Sequence, residues 1–310
     1  MKVQFDPAKR IYGVLYATTT ALCWGFLAII IKVALNFVDP FVIVWFRFGI
    51  SFIILFSYFI IWDRPKLSIL IKPPVLLIIA ALGLLVNYIG FAFGVDYTSP
   101  GNAQIFIQLG PLILAMVGII FYQERLSKRQ FAGFIVAGLG LIFFYGDQAV
   151  GSDLYLKGVL WLILSAIAWA AYASLQKKLV LSNNAQQLNL VIYGLPVLLM
   201  FPVVDLQPFV GYDWIIWLLL ISLGINTIVA YGCLAESFKY LEANKISVII
   251  SLNPIITFVI MIILERMHVT WIKAETLTIY GYAGAMLVLG GAVMVVMPKK
   301  LIKIQSRKKQ

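Results

Sequence analysis

The fold of this chain is decided by a segment that occurs twice. Residues 97–126 read YTSPGNAQIFIQLGPLILAMVGIIFYQERL, and residues 240–267 read YLEANKISVIISLNPIITFVIMIILERM. In both copies a proline stands 14 positions after the leading tyrosine, and it is Pro111 in the first copy and Pro254 in the second. Both copies place a Glu-Arg pair after a long apolar run. The shared spacing indicates an internal duplication.

Polar residues fall at matching places inside the two copies. Gln104 and Gln108 match Ser247 and Ser251 at a constant offset of 143 residues. In each copy the two polar residues and the proline stand at i, i+4 and i+7, and residues with this spacing share one face of a helix. We therefore expect one polar helix face in each half of the protein.

The composition is that of a membrane protein. Of the 310 residues, 62% are hydrophobic and 12% are charged, and the mean hydropathy is +0.98, whereas about a quarter of the residues of a soluble domain are charged. Helices satisfy every backbone polar group inside lipid, so the predicted fold class is an all-α polytopic membrane protein. Runs of about 20 apolar residues span a bilayer core of about 30 Å. We predict ten transmembrane helices, over residues 11–35, 40–62, 74–95, 99–122, 129–146, 156–180, 187–204, 213–237, 243–264 and 277–297.

The basic residues predict the orientation. If the N-terminus is cytoplasmic, 19 of the 24 lysines and arginines lie in cytoplasmic segments, as the positive-inside rule requires. An even number of spans then places both termini in the cytoplasm, and we expect the protein in the cytoplasmic membrane. The net charge of +11 comes mainly from these short segments, so we expect a lipid bilayer and no nucleic acid as partner.

The resemblance between the halves extends to other spans. Thr20 and Trp24 match Ser165 and Trp169 at an offset of 145 residues. Each half therefore has five spans, and an odd number forces the two halves to insert with opposite orientations. Such inverted repeats are the architecture of secondary transporters, with the substrate site near the midplane between the repeats.

These motifs resemble the EamA family of the drug/metabolite transporter superfamily. The resemblance lies in the Trp-Gly pair at 24–25, the WFRF sequence at 45–48, the block at 97–126 and the glycine-rich last span. It covers nearly the whole chain and implies a ten-helix metabolite carrier, often an exporter. The implied organisation is a first repeat at 1–150, a second repeat at 151–298 and a basic cytoplasmic tail at 299–310.

Arg47 is a strong charge well inside a predicted span. The second half has Ile192 at the matching position, and Ala170 replaces the glycine that follows the tryptophan, so a role that needs two copies of the arginine is not expected. A charge inside the membrane costs at least about 2.5 kcal/mol and usually faces a cavity or a partner. Two interpretations are open: an anchor for a substrate carboxylate or phosphate, or a structural arginine that binds free carbonyls at a broken helix.

Tryptophan and polar side chains at mid-depth are the candidate binding residues. Trp24 and Trp169 lie too far from either interface for the aromatic belt, so their ring N–H groups require a partner or a cavity. The alternatives are lipid-facing packing for the tryptophans and helix–helix hydrogen bonds for the amides and hydroxyls. Asn253 lies at a similar depth. The predicted substrate-binding residues are Thr20, Trp24, Arg47, Asn87, Tyr88, Gln104, Gln108, Ser165, Trp169, Tyr193, Asn226, Ser247 and Ser251.

Pro111 and Pro254 each stand in the middle of a predicted span. A proline there removes one helical hydrogen bond and frees the carbonyl one turn earlier, at Ile107 and Ile250. Such a break is tolerated beside a cavity or a neighbouring helix. The two prolines are therefore predicted hinges, and a static kink in each helix is the alternative.

The sequence favours a carrier over other classes of membrane protein. A membrane-embedded enzyme needs clustered acids for metal or acid–base chemistry, and Asp96 and Glu236, the acids near membrane depth, are far apart at span edges. Cys23 and Cys233 predict no disulfide framework, and we expect no metal and no cofactor. The remaining alternatives are a helper of another membrane protein and a carrier of a lipid-linked or nucleotide-like substrate. We expect a monomer or a weak homodimer.

The predicted binding residues also restrict the cargo. They comprise tryptophans, tyrosines, amides and hydroxyls with one arginine and no carboxylate, so a cation would lie unpaired beside Arg47 in a medium of low dielectric constant. A zwitterion or a monoanion would instead form a charge-assisted contact with Arg47. We therefore expect a neutral, zwitterionic or anionic small molecule, with an amino acid first. With no acid at mid-depth, facilitated movement is favoured over proton-driven pumping.

Overall fold

The computed structural model describes residues 10–122, 127–148, 153–180, 182–241, 246, 249–273 and 277–296. In these residues the chain is helical and has no strand. Ser247, both termini and the basic tail at 299–310 lie outside the described residues. The α-helices in chain order are α1 Arg10–Ala34, α2 Pro40–Trp62, α3 Val75–Tyr97, α4 Pro100–Phe106, α5 Leu109–Tyr122, α6 Lys128–Gln148, α7 Asp153–Val180, α8 Ala185–Met200, α9 Trp214–Tyr240, α10 Asn253–Arg266 and α11 Ile279–Val296.

Seven of these helices are long and apolar enough to cross a membrane, namely α1, α2, α3, α6, α7, α8 and α9. The chain is therefore an all-helical membrane protein, as the composition predicted. The predicted fourth span is divided between α4 and α5, the described part of the ninth is mainly α10, and the tenth corresponds to the shorter apolar helix α11. Ten membrane crossings thus stay a prediction.

Short polar residues fix where several helices begin. The Asp39 carboxylate accepts a hydrogen bond from the Phe41 backbone N–H at the start of α2, and the Ser99 hydroxyl accepts one from the Asn102 N–H at the start of α4. Both caps are followed by a proline at the first helical position, where the missing N–H costs no helical hydrogen bond. At the start of α9 the Asp213 carboxylate accepts a hydrogen bond from the Ile216 backbone N–H. These caps fix the first turns of α2, α4 and α9.

The helices pack in pairs that the duplication relates. α1 packs against α9 and α3 packs against α7, and exchanging the two halves converts one pair into the other. α2 packs against α8, and α6 packs against α11, so each of these helices meets its own copy. This is the set of contacts that a two-fold axis between the halves produces. The main buried core lies where the two halves meet.

Hydrogen bonds repeat the same relation at the level of single atoms. The Thr20 hydroxyl donates to the Ala230 carbonyl at 3.0 Å, and the Ser165 hydroxyl donates to the Asn87 carbonyl at 2.9 Å. Thr20 matches Ser165 at an offset of 145 residues, and Asn87 matches Ala230 at an offset of 143. The helix pairs α1–α9 and α3–α7 are therefore fastened by equivalent bonds.

Glycines bring α6 and α11 into close contact. A methyl group on Gly140 would lie 2.6 Å from the Val288 backbone nitrogen and 2.8 Å from the Gly284 carbonyl oxygen. A methyl group on Gly291 would overlap the Ala137 backbone nitrogen and would lie 2.6 Å from the Gly133 carbonyl oxygen. Backbones at this distance leave no space for a side chain, and small residues at the contact are the usual solution between membrane helices.

The predicted breaks before the prolines are present. α4 ends at Phe106 and α5 begins at Leu109, and in the second half a turn at residues 251–252 precedes α10. The prediction of a free carbonyl at Ile107 is wrong, because this oxygen accepts a hydrogen bond from the Gly110 N–H at 2.9 Å. A tight turn thus replaces the helical bond that Pro111 cannot donate.

Candidate functional site

A cavity lies between the two halves, at the level of the broken helices. The space open to the centres of water molecules inside it is about 60 Å³, which is enough for several waters. Helices α1, α2, α3, α4, α5, α7, α9 and α10 contribute side chains. The lining residues that the sequence predicted are Trp24, Arg47, Asn87, Tyr88, Gln104, Gln108, Trp169 and the hinge candidate Pro111.

Aromatic rings form much of the cavity wall. The ring of Trp24 lies edge-on to that of Trp169, with centroids 6.1 Å apart. Tyr231 lies beside both Trp24 and Tyr88, with centroid distances of 5.3 and 5.6 Å. Such rings offer large apolar faces to a ligand and hold their own geometry through ring–ring contacts. The tryptophans therefore line a cavity and do not simply face lipid.

Arg47 is the charged residue of the cavity and is 1% exposed. Its Cζ lies 4.0 Å from the centroid of the Tyr88 ring, a cation–π distance. Its Nε donates to the Thr227 hydroxyl at 3.1 Å, and the Tyr88 hydroxyl donates to the same oxygen at 3.3 Å. The described residues include no carboxylate within 4.0 Å of the guanidinium. The positive charge is thus buried and held in place, but it is not neutralised.

The two glutamines of the first copy also face the cavity. The Gln104 Nε2 donates to the Trp24 carbonyl at 2.7 Å, and the Gln108 Nε2 donates to the Asn253 Oδ1 at 3.0 Å. The side-chain oxygens of both glutamines are buried without a hydrogen-bond partner among the described residues. The predicted polar face of the first copy therefore lines the cavity, and both of its amide oxygens lack a donor among the described residues.

Thr20 and Ser165 do not line the cavity. Both hydroxyls donate to backbone carbonyls of neighbouring helices, and Ser165 also accepts from the Asn87 side-chain Nδ2 at 2.8 Å. The bond to Ser165 in turn orients Asn87, which does line the cavity. These two residues hold the helices of the site together.

Four further predicted residues also lie off the cavity. The Asn226 Nδ2 donates to the Cys23 carbonyl at 2.8 Å. Tyr193 is fully buried, and its hydroxyl has no partner among the described residues. Ser251 and the hinge candidate Pro254 are buried near the break before α10. Ser247 lies outside the described residues. The described residues of the second polar face are therefore not in the cavity lining, although their neighbour Asn253 is.

Apart from the hinge candidate Pro111, six lining residues were not among the predicted binding residues. Tyr231 was detectable, because it stands 143 residues after Tyr88, at the offset that relates the two copies. The sequence places Asn253 near the middle of a predicted span, but it does not assign this residue to the binding site. The other four are apolar, and a sequence does not distinguish an apolar residue that lines a cavity from one that packs in a core. They are Leu27, Phe91, Ile107 and Ile250.

A polar chain of hydrogen-bonded side chains joins α7 to α8. The Tyr172 ring lies 5.8 Å from that of Tyr231, and one turn later in α7 the Gln176 Nε2 donates to the Asn189 Oδ1 at 3.0 Å. The Asn189 Nδ2 then donates to the Gln186 Oε1 at 3.4 Å. Gln176 and Asn189 are fully buried, so this chain reaches deep into the interior.

The chain ends at a half-buried ion pair. The Gln186 Nε2 donates to the Glu236 carboxylate at 3.4 Å, and Lys239 lies 2.8 Å from the same carboxylate. The equivalent positions in the first half are apolar: Phe41 and Phe93 stand for Gln186 and Glu236 at offsets of 145 and 143 residues. Their rings pack edge-on, with centroids 5.2 Å apart. The same pair of positions thus carries a hydrogen bond in the second half and an aromatic contact in the first.

The chain is similar to known transporters over almost its whole length. The sequence profile of the EamA-like transporter family matches residues 11–146 and 156–297. The "uncharacterized inner membrane transporter YhbE" of Escherichia coli (strain K12) is 32% identical over 292 residues, which are 91% of this chain and 90% of that protein. An "uncharacterized transporter" of Haemophilus influenzae is 28% identical over 95% of this chain and 97% of its own.

More distant similarities include one descriptive name and one solved structure. A protein of Salmonella typhimurium described as a "probable amino-acid metabolite efflux pump" is 24% identical over 89% of this chain and 91% of its own. A crystal structure with 18% sequence identity superposes with a TM-score of 0.66, covering 94% of this chain and 98% of the other. At that level of identity the superposition shows a shared fold.

Proposed function

We propose that this chain, which belongs to the EamA-like transporter family, moves a small polar metabolite across the cytoplasmic membrane by alternating access. As an integral membrane transporter it would act as a monomer or a weak homodimer. The leading substrate class is an amino acid or a similar zwitterion or anion. Two relatives described as probable amino-acid metabolite efflux pumps support this substrate class. The inner-membrane description of another relative supports the location in the cytoplasmic membrane.

The observation that carries the proposal is the unneutralised charge of Arg47 in an aromatic cavity. A buried guanidinium without a carboxylate attracts a negative group strongly, because little solvent screens it. Tyr88 and Thr227 orient the guanidinium, so a substrate carboxylate would meet a fixed donor. The rings of Trp24 and Trp169 would hold the apolar part of the same molecule.

A binding experiment tests the substrate class. We expect amino acids or small carboxylates to raise the melting temperature of the purified protein by a few degrees at saturating concentration, because a ligand stabilises the state that binds it. Organic cations of equal size should leave the melting temperature unchanged. A larger increase with the cations than with the amino acids would contradict the proposal.

The proposed architecture is ten spans in two inverted repeats, with both termini in the cytoplasm. The positive-inside distribution of the basic residues and the exchange of helix pairs between the halves support it. We expect a cysteine at Lys309 to react with an impermeant reagent in inside-out vesicles and not in intact cells, and a cysteine at Lys157 to show the opposite pattern. A variant without Cys23 and Cys233 provides the background. Labelling of position 309 from outside intact cells would disprove the orientation.

The broken helices supply the proposed moving parts. Pro111 lines the cavity, and Pro254 occupies the matching place in α10. We expect Pro111→Ala and Pro254→Ala to slow transport while leaving ligand affinity almost unchanged, because a continuous helix resists bending. Pro196→Ala is the control, since Pro196 lies inside the unbroken helix α8. Unchanged transport rates in both variants would reduce the prolines to static kinks.

The proposed transport is facilitated diffusion of the substrate down its own concentration gradient. The cavity lining includes amides, aromatic rings and one arginine, and the described lining contributes no carboxylate that could carry a proton. Glu236 is paired with Lys239 at the end of the polar chain, away from the cavity lining. Uptake by proteoliposomes without a pH gradient, at a rate that an imposed gradient does not raise, is the expected behaviour.

A further inference from the structure

The amide of Gln104 has a defined orientation. Its partner is the Trp24 backbone carbonyl, 2.7 Å away, and a carbonyl oxygen only accepts hydrogen bonds. The group that faces Trp24 must therefore be the amide nitrogen, and the side-chain oxygen must point the other way. That oxygen is buried and has no partner among the described residues.

Gln108 repeats the arrangement one helical turn later. Its nitrogen donates to the Asn253 Oδ1 at 3.0 Å, and its oxygen is also buried without a described partner. Gln104 and Gln108 stand at i and i+4 and both line the cavity. Buried carbonyl oxygens without a donor are uncommon in folded proteins, because leaving them unpaired is unfavourable. Two such oxygens on residues of one cavity wall are acceptors that a bound ligand with N–H groups can pair.

We propose that the protonated amino group of the substrate donates hydrogen bonds to the side-chain oxygens of Gln104 and Gln108. This inference rests on the proposed function, in which Arg47 holds the negative group of the same molecule. It narrows the substrate class from anions and zwitterions in general to zwitterions with an ammonium group. An anion of the same shape that lacks N–H donors would bind to Arg47 and leave both oxygens unpaired.

The local chemistry favours an ammonium group over other donors. An ammonium group has three N–H donors, so one such group can serve two acceptors that lie a helical turn apart. Each glutamine nitrogen already uses one of its two N–H groups on a protein oxygen, whereas both side-chain oxygens lack a donor among the described residues. Trp24 also lines the cavity, and the face of an indole ring attracts a cation. A simple amine is still excluded, because its charge would not be balanced against that of Arg47.

Matched ligands test the inference without any mutation. A thermal-shift screen of the twenty protein amino acids on the purified full chain selects the tightest ligand. Its 2-hydroxy and 2-oxo analogues replace the amino group and keep the carboxylate and the side chain. We expect the amino acid to bind at least about 10-fold more tightly than either analogue, measured by isothermal titration. Equal affinities for the three molecules would overturn the inference and leave the anion site of the proposed function intact. Binding of none of the amino acids or analogues would overturn both.

Two variants assign the preference to the glutamines. Gln104→Met and Gln108→Met keep the length of the side chain and remove the oxygen, so each should reduce affinity for the amino acid by about 10-fold and leave affinity for the 2-oxo acid unchanged. Because Gln104→Met also removes the bond to Trp24, Gln108→Met serves as the independent variant if the first one unfolds. Gln207→Met, at an exposed position, is the control. An undiminished preference for the amino acid in the folded variants would overturn the role of these residues.

Discussion

Replacing Arg47 with alanine is expected to lower transport by about 100-fold per folded molecule. A charge-assisted hydrogen bond in a buried site contributes up to about 3 kcal/mol, and each 1.4 kcal/mol corresponds to a factor of ten in affinity. The guanidinium is 1% exposed and no carboxylate among the described residues neutralises it. Its loss would therefore remove the main attraction for a negative group. Uptake of radiolabelled amino acid into proteoliposomes measures the effect.

Two controls separate substrate recognition from folding. Arg47→Lys keeps the charge but loses the planar donor fork, so it should recover part of the transport rate. Arg64→Ala removes an exposed arginine that bonds the Ile60 carbonyl and should transport normally. Normal transport by Arg47→Ala would show that the arginine is structural, and the charge argument for the substrate class would then fail.

The second large effect is expected at the contact between α6 and α11. Gly140→Ala and Gly291→Ala each place a methyl group against the backbone of the opposite helix, so the two helices must separate. Overpacking of this kind costs about 1–3 kcal/mol or more, and the lost packing adds to that. We expect a clearly lower melting temperature and little folded protein, measured by fluorescence-detected size-exclusion chromatography after heating.

Neighbouring glycines provide matched controls for this prediction. Gly138 and Gly290 lie in the same two helices, and an added methyl group would meet no atom within 4 Å at either site. Gly138→Ala and Gly290→Ala should therefore be neutral or slightly stabilising, since alanine is the better helix former. Equal melting temperatures for the two pairs of variants would disprove the close contact of the backbones.

Much of the fold could be predicted because the duplication leaves a regular trace in the sequence. The resemblance to the EamA family is confirmed by the profile match, and the helix breaks appear just before Pro111 and Pro254 as expected. The sequence did not predict that the Ile107 carbonyl is used in a tight turn. Turn geometry of this kind depends on a few local dihedral angles, and the residue types leave these open.

The cavity was predicted in part, for a physical reason. A deep polar residue in a membrane helix must satisfy its hydrogen bonds, but either a cavity or a neighbouring helix can do this. Trp24, Gln104 and Gln108 line the cavity. The hydroxyls of Thr20 and Ser165 instead donate hydrogen bonds to backbone carbonyls of neighbouring helices. The choice depends on the rotation of each helix about its own axis, which packing determines and hydropathy does not reveal.

The Gln186–Glu236 hydrogen bond and the matching Phe41–Phe93 contact have a consequence for the conformational equilibrium of the empty protein. Separating Phe41 from Phe93 would expose ring surface to water at about 25 cal/mol per Å². Separating Gln186 from Glu236 exchanges protein hydrogen bonds for bonds to water, at little net cost. Two identical inverted repeats would give an inward-open and an outward-open state that are related by the two-fold axis and equal in free energy. Here the side chains at these positions remove that equality. We therefore expect the empty protein to favour the state in which Gln186 and Glu236 are apart and Phe41 and Phe93 remain in contact.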